Sequence, residues 1–481
     1  MWRELAVLGR HEKLIHLPLV GAILIGFVLA PIKDRYPSPV SYFLFDLFFA
    51  LALFFWATMR IRRGRALLPK TPVTKVLLVF YVLCAVYALF PGIPLPIGLA
   101  AFRGWCFFSL AYLLGYDITR SGRHVRAYLL LVVLLAVLAG VYGIYQYVAG
   151  VESAIPDDEL AAERHRFATY VTPMGEVEFR IFSTFVSAGA FGSMMAYASA
   201  LALVLSLNRE ITPLWRFLLR LGIVPMMTSL VLTGTRAALI MVLIGLILLW
   251  WHRRSVRVYL VAAALISLGV RVGIDLTEGR AAERFASLAD IGLILGRISN
   301  PLHAGFQALL EAPWGHGLGR TGHGVPFFMG RWYPTFHPIF ADGDFGRILV
   351  EMGVLGFAVL VLLLGTALRT AWRALQRLKG TPDEEAALAI VCGAFMIGAG
   401  TLVGSPLLSI PHGMLWWFFL GAVLKLADLE RRRQRAWWHA WSEVLVPVEE
   451  STRIVSRMPE RHPWSARGRC CLLYTSDAAD E

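Results

Sequence analysis

Apolar runs of about 20 residues recur along almost the whole chain, and this feature fixes the fold class. Inside a bilayer every backbone N–H and C=O must be satisfied within the segment itself, so such runs read as helices. Window hydropathy predicts about twelve spans, near 14–31, 40–59, 73–90, 96–116, 127–149, 187–207, 217–233, 236–252, 256–272, 346–367, 385–404 and 411–428. The expectation is an all-α polytopic membrane protein. Charged residues are 16% of the chain, against about 25% in soluble proteins.

A net charge of +13 raises the question of nucleic acid. The arginines sit in short clusters between apolar runs, as membrane topology requires, so the reading is no nucleic acid and a lipid bilayer as partner. Basic clusters follow every even-numbered span: Arg60–Arg65, Arg120–Arg126, Arg209–Arg220, Arg253–Arg257, Arg369–Lys379 and Arg431–Arg435. The short loop Pro91–Pro96 carries no charge. Both termini are therefore expected in the cytoplasm. The first run follows Arg3, Arg10 and Lys13, and Val28-Leu29-Ala30 resembles a weak cleavage site. Its length and the many later runs favour an uncleaved span.

Two long loops, about 150–186 and 273–345, fall on the other side. In the second, between spans nine and ten, Ala281–Ile294 and Ile298–Leu310 have helical spacing, with Leu302, Phe306, Leu309 and Leu310 on one face. Pro313, Gly315, Gly317 and Gly319 then end any helix. Ala436–Trp441 reads as a surface-lying helix. Cys84, Cys106 and Cys392 lie in apolar runs and Cys470 and Cys471 in the tail, so no disulfide framework is expected. Cys471–Glu481 reads as the translation of a sequencing adapter and is set apart.

The polar, glycine-rich stretch Gly296–Gly356 stands out from the apolar frame. Arg180 and Arg236 lie at the outer interface beside apolar sequence, where a desolvated guanidinium needs a partner. A diphosphate is one, because guanidinium binds phosphate oxygens in a fork. Headgroup snorkelling, or a local pair of Arg180 with Glu176 or Glu178, is the other reading. Arg103 lies within span four and is either functional or paired with a carboxylate such as Asp46. His337, Asp342, Asp344 and Glu351 gather at the entry to span ten. His337 suits a general base, and Glu351 could orient an arginine or act as a base itself. Asp342 or Asp344 could equally cap the helix. His316, His323 and His337 match no zinc pattern, so no metal is expected.

Four segments in succession carry a resemblance: RIFSTFVSAGAFGSMMA, LTGTRAALIMVLIGL, GRISNPLHAGFQALLEAPWGHGLG and DGDFGRILVEMGVLG. They resemble the O-antigen ligase and O-antigen polymerase superfamily of bacterial inner-membrane transferases, over about Arg180–Gly365. The resemblance implies a GT-C-like frame with a large periplasmic loop between spans nine and ten. It implies a metal-independent, inverting transfer of a glycan from undecaprenyl diphosphate to a sugar or lipid acceptor, with no cofactor. Arg180 and Arg236 look like the family's diphosphate-binding arginines, with Arg297 a weaker match; Arg103 is a further diphosphate-binding candidate from its place within a span alone. The ligases' motif is a His-Asn (or Ser/Gln) pair, nine residues, then Gly-x-x-Gly. Gly353–Gly356 fits its end, but Asp342-Gly343 stands where His-Asn should be, and His337 is five residues early. That departure points to a polymerase or another branch, with Asp342 or His337 as base. The chain divides accordingly into 1–179, the family-like core 180–365, and 366–470. The alternatives are a lipid-linked-oligosaccharide transporter and a non-catalytic assembly subunit.

Overall fold

The computed structural model describes residues 10–36, 39–150, 168–171, 177–286, 291–322, 333 and 336–444. Arg331, His323 and the adapter-like tail lie outside them, as do the side chains of Arg297 and Glu178. The described residues are almost wholly helical. In chain order the helices are α1 (Arg10–Arg35), α2 (Pro39–Arg62), α3 (Pro72–Ala88), α4 (Leu95–Phe102), α5 (Ala111–Ile118), α6 (Gly122–Ala149), α7 (Ala188–Leu205) and α8 (Pro213–Leu232). Then come α9 (Arg236–Arg253), α10 (Val256–Leu276), α11 (Arg280–Ala286), α12 (Ile291–Glu311), α13 (Gly343–Leu378), α14 (Glu384–Gly400) and α15 (His412–Val444). Each expected span falls on one of these helices, except span four, which is divided between α4 and α5. Among the described residues, nine helical segments are long and apolar enough to cross a membrane, and the apolar α3 is shorter at 17 residues. The chain is a multi-pass membrane protein on that basis.

Residues Met1–Asp428 form one compact unit, so the sequence divisions at 179 and 365 fall inside it. The second unit begins at Leu429, within α15, which continues to Val444. Trp437 and Trp438 on that extension are exposed and stack edge to face.

Several ion pairs and backbone contacts of the first unit lie at the ends of its helices. At one end Arg60 pairs with Asp117, Arg126 with Asp383, His252 with Glu384 and Arg253 with Glu385. At the other, Arg180 reaches the α8–α9 turn and Asp344 reaches the segment after α14. The same helices, α9 and α14, carry both sets at opposite termini.

Three features differ from the sequence reading. The loop 150–186 contains a two-stranded antiparallel hairpin, Thr169–Val171 with Val177–Phe179, which alternation over so few residues does not announce. Span four is not one α-helix: Arg103–Phe107 form a π turn and Phe108–Leu110 a 3₁₀ turn between α4 and α5. Finally, the leucine face expected on Ile298–Leu310 is not the buried one. Phe306 is 51% and Leu310 87% exposed, whereas Gly305 and Ala308 face α13. A Cβ at Gly305 would sit 2.8 Å from Leu349 Cδ1, so glycine sets how closely the two helices approach.

Candidate functional site

Helix α13 is broken at Gly353, whose φ of 60° and ψ of −154° only glycine adopts readily. The break frees backbone groups, and the loop after α12 satisfies them. His316 N–H donates to Val350 O (2.9 Å), Gly317 N–H to Glu351 O (3.0 Å), and Val354 N–H donates to Pro313 O (3.1 Å). Gly315, Gly317 and Gly319 all have φ near +90°. Their lack of side chains lets the loop thread between α13 on one side and Phe90, Ile93 and Ile97 on the other. Leu318 N–H donates to Tyr87 O (3.0 Å), tying the loop to α3. The glycine run predicted as a helix stop is thus a packed bridge.

Glu351 lies beneath this bridge and is 2% exposed. Its carboxylate accepts from the Thr321 hydroxyl (2.5 Å), the Thr321 N–H (3.3 Å) and the Trp105 indole N–H (3.2 Å). A buried carboxylate so satisfied holds its neighbours in place. Trp105 is presented by the π turn of span four, a device common at functional sites. Neither Trp105 nor Thr321 was singled out by sequence; both are uncharged and local spacing carries no signal for them.

Asp344, Arg347 and Glu351 are spaced i, i+3, i+7 and share one face of α13. Arg347 interacts electrostatically with Asp344, Glu351 and Asp342. Asp344 is fully buried. Its N–H donates to Thr401 O and Gly404 O (both 3.0 Å), and its Oδ2 accepts from Leu407 N–H (3.2 Å). Arg347 was missed by the sequence reading, although the spacing was visible. Asp342 is the N-cap of α13, accepting from Gly343 N–H (2.8 Å), with an exposed side chain. His337 is exposed in the extended segment leading to it. Both capping and water access are therefore realised at Asp342.

Arg180 and Arg236 meet at the three-residue turn between α8 and α9. Arg180 donates through Nε to Thr233 O (2.9 Å) and through Nη2 to Thr235 Oγ1 (3.2 Å). Arg236 follows Thr235 as the first residue of α9. A third arginine, Arg284 of α11, donates Nε to Gly234 O (2.8 Å). Two half-buried arginines from distant parts of the chain thus bond to the turn that the half-buried Arg236 directly follows. Gly234 has φ +59°, which makes the turn possible. Arg284 was not foreseen.

Arg103 does not join them. It forks onto both carboxylate oxygens of Asp46 and lies 5.6 Å from the Phe108 ring centre. This is the structural reading anticipated for it, and the π turn it opens aims it at α2. Arg297 sits on α12.

A cavity of about 430 Å³ opens beside the glycine bridge, lined by Phe90, Pro91, Trp314, His316 and Arg320 among others. Among the described residues no group of three or more His, Cys, Asp or Glu side chains could hold a metal ion. No protein-family model matches the chain, and no curated protein matches it.

Proposed function

We propose that the protein is an inner-membrane glycosyltransferase that moves a glycan from undecaprenyl diphosphate to a sugar or lipid acceptor in surface polysaccharide assembly. The observation that carries this reading is the convergence of Arg180, Arg236 and Arg284 on the Thr233–Thr235 turn. Clustered guanidinium groups at a membrane-spanning helix end suit a lipid-anchored diphosphate, whose negative charge grows as the glycosyl bond breaks. A twelve-span frame with both termini cytoplasmic would put this turn, the glycine bridge and the start of α13 on the periplasmic side. Asp342 or His337, both exposed to solvent, would take the proton from the acceptor hydroxyl. Glu351, buried and fully bonded, would position the bridge rather than exchange protons with substrate. Asp342 in the ligase histidine's place favours a polymerase-like branch over a true ligase.

The test is purified protein in nanodiscs with undecaprenyl-diphosphate-linked glycan and candidate acceptors, with and without chelator. Release of undecaprenyl diphosphate in step with glycan transfer is expected. Passage of the intact lipid-linked glycan across a liposome bilayer without transfer would establish the transporter instead.

A further inference from the structure

At the opposite end of the helices from the arginine turn, a pocket of about 460 Å³ lies between the end of α9 and the end of α13. Its walls include Trp251, Arg253 and Arg254 from the first and Trp372, Gln376 and Lys379 from the second. Among the described residues no carboxylate lines it. Helix α14 forms the support behind, because both α9 and α13 pack along it. Its Glu385 holds Arg253 at 2.6 Å and its Glu384 holds His252 at 2.8 Å, while its Phe395 stacks edge-on against Trp372. Arg254 ends α9 in the left-handed conformation (φ 45°), which is uncommon for a non-glycine residue, and it is exposed at the pocket edge.

Below the pocket each wall continues as an apolar stripe. On α9, Leu243, Ile247 and Trp251 follow one another at i+4 steps, all more than half exposed, and Arg254 caps the row. On α13, Val361, Gly365, Leu368, Trp372, Gln376 and Lys379 keep the same 3.6-residue period. Both walls therefore grade from aliphatic, through tryptophan, to cation. That order matches a phospholipid read from acyl chain to phosphate, with aromatic rings at the interfacial level. Arg253 is already paired with Glu385, which leaves Arg254 and Lys379; simple snorkelling would account for either cation alone, but not for both converging on one pocket from two helices with two indoles beneath.

We propose that this pocket binds the headgroup of an anionic phospholipid, with its acyl chains lying along the two stripes. Basic pockets between membrane helices are a known geometry for such headgroups. The site is independent of the glycan-transfer reading, and it would join the ends of α9 and α13 through a shared phosphate.

The experiment is native mass spectrometry and thermal unfolding of the full chain with phosphatidylglycerol, phosphatidylcholine of the same acyl chains, or inorganic phosphate alone. Phosphatidylglycerol should be retained preferentially and raise the melting temperature, with phosphatidylcholine and free phosphate much weaker. Arg254→Asn with Lys379→Gln should lower the phosphatidylglycerol affinity about tenfold or more. Asparagine tolerates the left-handed backbone, and Lys379→Gln alone, at an exposed helix end, serves if the double variant does not fold. Arg62→Gln with Arg63→Gln, outside the pocket, should change little. Equal retention of both lipids, equal protection by free phosphate, or an equal loss in the Arg62/Arg63 variant would each overturn the assignment.

Discussion

Trp105 donates its indole N–H to the Glu351 carboxylate over 3.2 Å, joining the π turn of span four to the broken helix α13. With Thr321 on the same carboxylate, this bond fastens three separate parts of the chain beneath the glycine bridge. Glu351→Ala would strand the Trp105 and Thr321 donors in a buried site, at about 1–3 kcal/mol for each unsatisfied group. Thermal unfolding in detergent should show a large loss. Glu351→Gln keeps one acceptor oxygen, enough for Thr321 but not also for Trp105, and should lose less stability than Glu351→Ala while retaining measurable transfer. Abolished transfer in a fully folded Glu351→Gln protein would instead make Glu351 the reacting base.

The break at Gly353 makes its own prediction. A Cβ there would lie 2.2 Å from Pro313 O, and the backbone angles exclude other residues, so nothing can relax to admit it. Gly353→Ala should cost roughly 3 kcal/mol or more, combining backbone strain with overpacking. Gly365 lies about three turns further along the same helix with nothing near its Cβ position. Gly365→Ala should be neutral or slightly stabilising, by up to about 1 kcal/mol. Comparable melting temperatures for the two variants would show that the break is not a structural requirement.

The helices were legible because an apolar run long enough to span a bilayer has few other ways to satisfy its backbone. Two of the arginine clusters meet in space, because Arg126 and Arg253 both pair with carboxylates at the start of α14, Asp383 and Glu385. The site was read in part. Arg180 and Arg236 were identified from desolvated charge, but that they share a turn with Arg284 is a tertiary fact with no local trace. Gly315, Gly317 and Gly319 read as a helix stop because sequence shows conformational freedom but not what will pack against it. The buried face of α12 was misjudged for the same reason: hydrophobicity favoured Phe306 and Leu310, while close approach to α13 required Gly305. In a membrane protein an exposed leucine carries little penalty, so the apolar face and the packed face need not coincide.

The arginine turn separates binding from scaffolding. Arg236→Ala should reduce transfer about 100- to 1,000-fold, the loss typical of removing one charge-stabilising group. Arg180→Lys should fall nearly as far, because a point-charge ammonium cannot hold Thr233 O and Thr235 Oγ1 while offering a fork to phosphate. Arg284→Ala should lose less activity and more stability, since its described bond is to the turn backbone at Gly234. Transfer assays set beside melting curves check all three, and wild-type transfer in Arg236→Ala would remove the turn from the site.

At the opposite helix end, the hydrogen bond from His252, aided by the Gly380 N–H and the Arg253 charge, holds the Glu384 carboxyl down at about 2 from an ordinary value of 4.5. A carboxylate whose pKa is lower folded than unfolded stabilises the fold above its unfolded value, and that contribution disappears as pH falls through the folded one. The loss should therefore run from about pH 4.5 down to about 2. Melting temperature measured from pH 6 to pH 3 should fall more steeply for the wild type than for Glu384→Gln, which cannot ionise. The variant should be the less stable of the two at pH 6, and the gap should narrow with acid. Parallel curves across that range would mean that Glu384 is no better held in the folded chain than in the unfolded one, and that the α9–α14 junction rests on Arg253 and Glu385 alone.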